Sequence, residues 1–256
     1  MMDTKIIPVQ GKDGLLYCPV CGEPLQLRLN ETVTHSGFRI VHRACACERR
    51  KREMEDKRRT ENEHRFLVQR NREICFPVKK MSTWTFENDN GSVPEMQLAR
   101  DYVEHWDKCR EEGRGLLLFG NVGSGKTYMA AAIANALLEQ ESKVLMRNFA
   151  WISNISAFEA EEKLNELSSF DLLILDDLGA ERKSEFALQN VFNVIDRWWS
   201  TGKPMIVTTN LTPKQMEKGQ DQAMERIYDR IFGRCIPVSV AGPSQRQSPR
   251  QAKADA

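Results

Sequence analysis

Gly120-Asn-Val-Gly123-Ser-Gly125-Lys126-Thr127 fits the pattern G-x-x-x-x-G-K-[ST], with an apolar strand pattern before it and a helical pattern after it. In such a loop, glycines let successive backbone N–H groups turn inward and line a concave anion site. The N-terminus of the following helix adds its partial positive charge. The ligand this predicts is ATP, held by Gly120, Asn121, Val122, Gly123, Ser124, Gly125, Lys126, Thr127 and Tyr128. Lys126 is expected to reach the β- and γ-phosphates, and the Thr127 hydroxyl to serve as a Mg²⁺ ligand.

A second acidic element lies downstream. Leu172-Leu-Ile-Leu-Asp176-Asp177 reads as an apolar strand ending in carboxylates, which places them at the strand edge where open α/β sheets bind ligands. Asp176 is expected in the Mg²⁺ shell and Asp177 beside the attacking water. Thr208-Thr209-Asn210 ends another apolar run. Asn210 there can orient a lytic water or sense the γ-phosphate, or simply form the turn. Arg226 and Arg230 share a helix face at i, i+4, either as surface charges or with one reaching a neighbouring subunit's nucleotide.

Four of the seven cysteines occupy the first 48 residues. Cys18-Pro-Val-Cys21-Gly is a C-x-x-C knuckle, and Cys45-Ala-Cys47 follows after 23 residues. Four thiolates in this arrangement suit Zn²⁺, and so short a segment has too little core to fold without a staple. C-x-C is less usual than C-x-x-C, so His42 is an alternative fourth ligand. No thioredoxin-like pattern surrounds the knuckle, which argues against a redox role.

The elements that must position these groups follow from hydrophobic patterning. Strands are predicted at 115–119, 143–147, 170–175, 204–208 and 236–240, alternating with helices over 126–140, 151–167 and 184–200. That alternation predicts an α/β fold with a parallel sheet covered on both faces. Four segments are expected: a zinc-binding module at 1–48, a charged helix and linker at 49–80, an ATPase domain at 81–240 and a disordered tail at 241–256. The charged helix carries seven basic and three acidic residues between Arg49 and Arg59, a pattern of a solvated face or of a DNA groove. The basic residues Arg65, Arg70 and Arg72 and the tail residues Arg246, Arg250 and Lys253 extend the second reading.

The chain has 256 residues, 41% of them apolar, and a net charge of +1. No run approaches the roughly 18 apolar residues of a membrane span, and Met1 to Gly14 lacks the layout of a signal peptide. A cytoplasmic protein with no membrane contact is expected, with reduced cysteines. The near-neutral charge leaves any nucleic-acid binding to a local patch.

The P-loop, Asp176-Asp177-Leu-Gly, Thr209-Asn210 and Arg226-x-x-x-Arg230 occur in that order, and together they resemble the AAA+ core of the bacterial helicase loaders, the DnaC/DnaI family. Arg147-Asn148-Phe149 is also similar to that family. The resemblance is good from about Trp84 to Val240 and looser before it. It implies an AAA+ P-loop core with a five-stranded parallel sheet in the order 5-1-4-3-2 and no helical lid. It further implies Asn210 as sensor, Arg230 as arginine finger with Arg226 as its alternate, and base contact by Trp84 and Phe86, which residue type alone would assign to packing. The implied partners are a replicative DNA helicase gripped by the zinc module, single-stranded DNA, and further copies of the chain in the ATP state. Asp177 stands where the wider pattern has Glu, one methylene longer, which predicts slow turnover. Two other P-loop functions compete: a transposition helper ATPase of the IstB type, which lacks the cysteine pattern, and a small-molecule kinase, which needs an Arg-rich lid. A zinc adaptor with weak ATPase activity is the third.

Overall fold

In the computed structural model, which describes residues 7–29, 40–179, 185–217, 222–242 and 244, the chain divides into two units, Met1–Phe66 and Leu67–Ala256. The first holds two small antiparallel hairpins, β1 (Val9–Gln10) with β2 (Leu16–Tyr17) and β3 (Gln26–Arg28) with β4 (Ile40–His42). Helix α1 (Ala46–Cys75) follows. The exposed part of α1 carries same-helix ion pairs, among them Arg52 with Glu48, Lys51 with Glu55 and Arg59 with Asp56. The tail expected to be disordered lies outside the described residues except for Ala241, Gly242 and Ser244.

The second unit begins within the last turns of α1. A 3₁₀ turn (Lys79–Thr83) leads to α2 (Met96–Glu104) and α3 (Trp106–Glu112). The α/β core then runs β5 (Gly115–Phe119), α4 (Lys126–Glu139), β6 (Val144–Asn148), α5 (Phe149–Ser153), α6 (Ala157–Leu167), β7 (Leu172–Leu178), α7 (Glu185–Ser200), β8 (Met205–Thr209), α8 (Pro213–Glu217), α9 (Gln222–Phe232) and β9 (Cys235–Ser239). All four strand pairings are parallel, in the order β6-β7-β8-β5-β9. Counted from β5 and read from the β9 edge, this is 5-1-4-3-2, the order the resemblance implies.

Side chains alternate between the two sheet faces along each strand. Leu116, Leu118, Leu172, Ile174 and Ile206 enter one core with α2, α3 and α4. Leu117, Leu173, Leu175, Met205 and Val207 enter the other with α5, α7 and α9. Burial on both faces explains why these strands read as unbroken apolar runs. The expected single helix over 151–167 is two, broken at Asn154–Ser156. Asn148 caps the first of them by accepting from the Trp151 backbone N–H at 2.7 Å. Strand β7 also runs three residues past its expected end at 175, because its acidic tip still contacts β8.

Strand β5 must lie close to β8 for the site to form. A Cβ on Gly115 would stand 1.8 Å from the Met205 carbonyl oxygen, which belongs to backbone and cannot rotate away. Gly115→Ala is therefore expected to lower unfolding stability by about 3 kcal/mol, the upper end for overpacking. Gly242→Ala, where a Cβ meets nothing within 4 Å, is expected to leave the urea midpoint unchanged. Equal midpoints for both variants would contradict this account of the β5–β8 contact.

Candidate functional site

The C-terminal ends of β5, β7 and β8 open on one cavity of about 690 Å³. It is lined by Val122, Gly123 and the run from Gly125 to Tyr128, by Asp176, Asp177, Thr208 and Asn210, and by Lys80, Met81 and Trp84. Parallel strands put all their C-terminal tips on one edge, so residues nearly 90 positions apart meet there.

The P-loop is preshaped. Gly125 takes φ +100° at the start of α4, and a Cβ there would come within 2.8 Å of a Val93 methyl carbon, so only glycine fits both backbone and space. Lys126 is almost buried, and its Nζ donates to the Gly120 carbonyl at 2.9 Å and the Asn121 carbonyl at 2.7 Å. The Ser124 hydroxyl is buried with no partner among the described residues. A cation resting on carbonyls and an orphan hydroxyl, beside a helix N-terminus, fit a phosphate chain.

The acidic tip departs from regular pairing. Leu175 pairs with Val207 and Leu178 with Thr209, so Asp176 and Asp177 together oppose Thr208 in a β-bulge. Asp177 takes φ +65°, a conformation that Asp tolerates better than most residues. The bulge removes a ladder acceptor, and the Thr208 Oγ1 replaces it by accepting from the Asp177 N–H at 2.9 Å. The same hydroxyl donates to Asp176 Oδ1 at 2.7 Å. Burial raises the Asp176 carboxyl above its ordinary value, opposed by hydrogen bonds from Thr208 and Thr127; the Asp177 charge adds to the rise and the Lys126 charge opposes it. Asp176, Thr127 and Lys126 are thus within reach of one another, as a hard cation with phosphate ligands requires.

Of the two aromatics expected at the base, Trp84 lines the cavity and stacks on Tyr128 at a 5.8 Å centroid distance. Phe86 does not line it. Phe86 is buried, with the Arg100 guanidinium 4.7 Å over its ring. Neither arginine of α9 lines the cavity. Arg230 donates to Asp196 Oδ1 at 3.1 Å and lies over Trp199, while Arg226 is exposed beside Glu185, Gln189 and Gln222. Sequence reasoning missed Thr208. A threonine on an acid-facing strand tip is its only trace in the sequence.

In the N-terminal unit, Cys18, Cys21, Cys45 and Cys47 bring their Sγ atoms within 4.8 Å of one another, and His42 is not among them. Tetrahedral zinc with bonds of about 2.3 Å needs sulfurs about 3.8 Å apart, so the four fit. Gly22 at φ +72° lets the knuckle close, with the Gly22 N–H donating to Cys18 O at 2.9 Å. The backbone N–H groups of Glu23 and Cys47 pull the Cys21 thiol down to about 6. Glu23 ties the two cysteine pairs together. Its Oε2 accepts from the Ala46 N–H at 2.7 Å, at the start of α1.

The sequence pattern of the IstB-like ATP binding proteins matches residues 54–253. The chain belongs to this family. It is 31% identical over 148 residues to the replicative helicase loader DnaC of Escherichia coli (strain K12), covering 55% of this chain and 58% of that relative. It is 27% identical over 174 residues to the replicative helicase loader DnaI of Bacillus subtilis (strain 168), covering 62% and 56%. The chain spans a little over half the length of these relatives. A crystal structure of DnaI superposes with a TM-score of 0.56 at 26% identity, over 69% of this chain and 100% of that one. The crystal structure of the DnaC helicase loader gives 0.54 at 21% identity, over 64% and 100%, a likeness of fold alone. Among the described residues no helix is long and apolar enough to cross a membrane.

Asp176 gives a prediction with a definite sign. Its folded value lies above the ordinary 3.8, so below that pH the group is neutral in both states and costs nothing. Above it, burial penalises the charged form in the folded chain but not in the unfolded one, so the group lowers stability at neutral pH. Nucleotide-free Asp176→Asn protein is therefore expected to melt above wild type at pH 7, and Mg²⁺ with ATP to reverse that order. A variant that melts below wild type without nucleotide would contradict the penalty.

Proposed function

We propose that this chain hydrolyses ATP as a switch in loading a replicative DNA helicase. The observation that carries this reading is the meeting of P-loop, bulged acidic tip and Asn210 in one cavity, within a region whose relatives are replicative helicase loaders. Lys126 exchanges its carbonyl partners for the β- and γ-phosphates, while the inward N–H groups of the loop hold the chain of phosphates. Asp176 and Thr127 would hold Mg²⁺, which when bound neutralises phosphate charge and aligns the γ-phosphoryl group. Asp177 accepts a proton from the attacking water, and Asn210 fixes that water or the γ-phosphate oxygen. Water adds to the γ-phosphorus as the bond to the β-phosphate oxygen breaks, leaving ADP and phosphate. The short Asp177 side chain, reaching from a bulge, favours slow turnover.

Self-association in the ATP state supplies the missing cation. Arg230, 35% exposed along its side chain and paired with Asp196 and Asp229, exchanges those partners for a neighbouring copy's γ-phosphate, with exposed Arg226 as the alternate. Residues 1–48 are a Zn²⁺ module that grips the helicase, 49–80 the helix and linker, and 81–240 the ATPase domain, which also binds single-stranded DNA. The Cys₄ cluster and the loader relatives favour this reading over an IstB-type transposition helper.

Three measurements check it. Lys126→Ala should lose ATP binding or hydrolysis, whereas Asp177→Asn should keep binding and lose turnover by at least about 100-fold; wild-type hydrolysis by the lysine variant would discard the site. Freshly purified protein should carry one zinc per chain, lost in Cys47→Ser and retained in His42→Ala; an absence of zinc on elemental analysis would remove the metal module. A hexameric replicative helicase should be captured by the full chain; capture of a transposase instead would overturn the loader assignment and leave the ATPase standing.

A further inference from the structure

Between the acidic tip and its neighbouring strand lies a hydroxyl that the P-loop motif and the acidic pair do not account for. Thr208 is 1% exposed, so its hydroxyl answers to protein partners rather than to bulk water. It has two, and they are the two functional features of the β7 tip. One is the carboxylate of Asp176, at 2.7 Å; the other is the backbone N–H of Asp177, at 2.9 Å. The adjacent Thr209 does a different task, donating to Leu178 O at 2.9 Å where regular pairing resumes. Two residues opposing one should leave an unmatched backbone donor, and Thr208 is the group that satisfies it.

We infer that Thr208 is a positioning residue for the cation-binding carboxylate: by bridging Asp176 and the Asp177 backbone it aims Asp176 at Thr127 and sets the bulge that presents Asp177. The inference rests on the ATPase reading of the same cavity. One Asp176 oxygen is engaged by Thr208, which restricts rotation of the carboxylate about its terminal bond. The carboxylate and Thr127 line the same cavity, and Thr127 acts on it to oppose the rise that burial causes. Without the Thr208 bond the plane and position of the carboxylate would vary more widely, and part of the binding to a cation would be lost. Valine has the shape of threonine without the hydroxyl, so Thr208→Val removes both bonds and leaves packing nearly unchanged. Serine keeps the hydroxyl and loses a methyl.

The test uses the full chain as wild type, Thr208→Val and Thr208→Ser, titrated with Mg²⁺ at saturating ATP. Thr208→Val should bind ATP in EDTA as tightly as wild type, while the Mg²⁺ concentration for half-maximal hydrolysis rises about tenfold, as when a group that hydrogen-bonds a metal-binding carboxylate is lost. Thr208→Ser should return that concentration to within about twofold of wild type. A merely structural threonine would lower the melting temperature without moving the Mg²⁺ requirement, and that result overturns the inference, as does a serine variant no better than valine. Wild-type protein that hydrolyses ATP beside an unchanged valine variant defeats this inference alone. Wild-type protein that binds no ATP, like Lys126→Ala, defeats the parent reading and this inference with it.

Discussion

A carboxylate set in a place that disfavours its charge is the constraint around which this site is arranged. Asp176 is buried enough to resist ionisation, yet it ends an apolar strand whose neighbours on both sides are fixed by parallel pairing. The surrounding groups compensate with hydroxyls from Thr127 and Thr208 and with the nearby Lys126 charge. Such an arrangement is stable without a cation but more favourable with one. The bulge at Asp176–Asp177, the glycine turn at 125 and the close approach of β5 to β8 all serve to bring those compensating groups within reach.

Part of the cavity wall comes from the polypeptide entering the core, at Lys80, Met81 and Trp84. Asn135 in α4 donates to the carbonyls of Met81 and Trp84, each at 2.9 Å, and accepts from Arg72 at 3.1 Å. Arg147 donates to the Ile74 and Cys75 carbonyls at 3.1 and 2.9 Å, satisfying two of the orphan acceptors at the end of α1. Trp84, which lines the cavity, is therefore anchored by the same polar groups that hold the last turn of α1. A buried asparagine with all its bonds made specifies that segment's position more sharply than apolar packing would.

Much of this was legible in the residues. Strands buried on both faces announce themselves as apolar runs, so the parallel sheet followed from patterning, while its strand order came only from the family resemblance. What escaped depends on contacts between distant segments. The break between α5 and α6 has no proline or glycine to mark it. Phe86 and Trp84 are both aromatics ahead of the core in sequence, and only their tertiary contacts, Tyr128 for Trp84 and burial under Arg100 for Phe86, separate a cavity aromatic from a packing one. Arg230 looks like any helical surface charge until Asp196 and Trp199 are placed beside it. Thr208 shares its type with Thr209, yet a register shift of one residue gives the two hydroxyls different work.

The most direct test of the account is a crystal structure of the full chain with Mg²⁺ and a non-hydrolysable ATP analogue. The account predicts the triphosphate on residues 120–127, Lys126 Nζ moved from the Gly120 and Asn121 carbonyls to phosphate oxygen, and Asp176 in the metal's coordination sphere or hydrogen-bonded to it, still in contact with Thr208. A triphosphate bound elsewhere, or Lys126 still resting on those carbonyls with nucleotide in place, would contradict it.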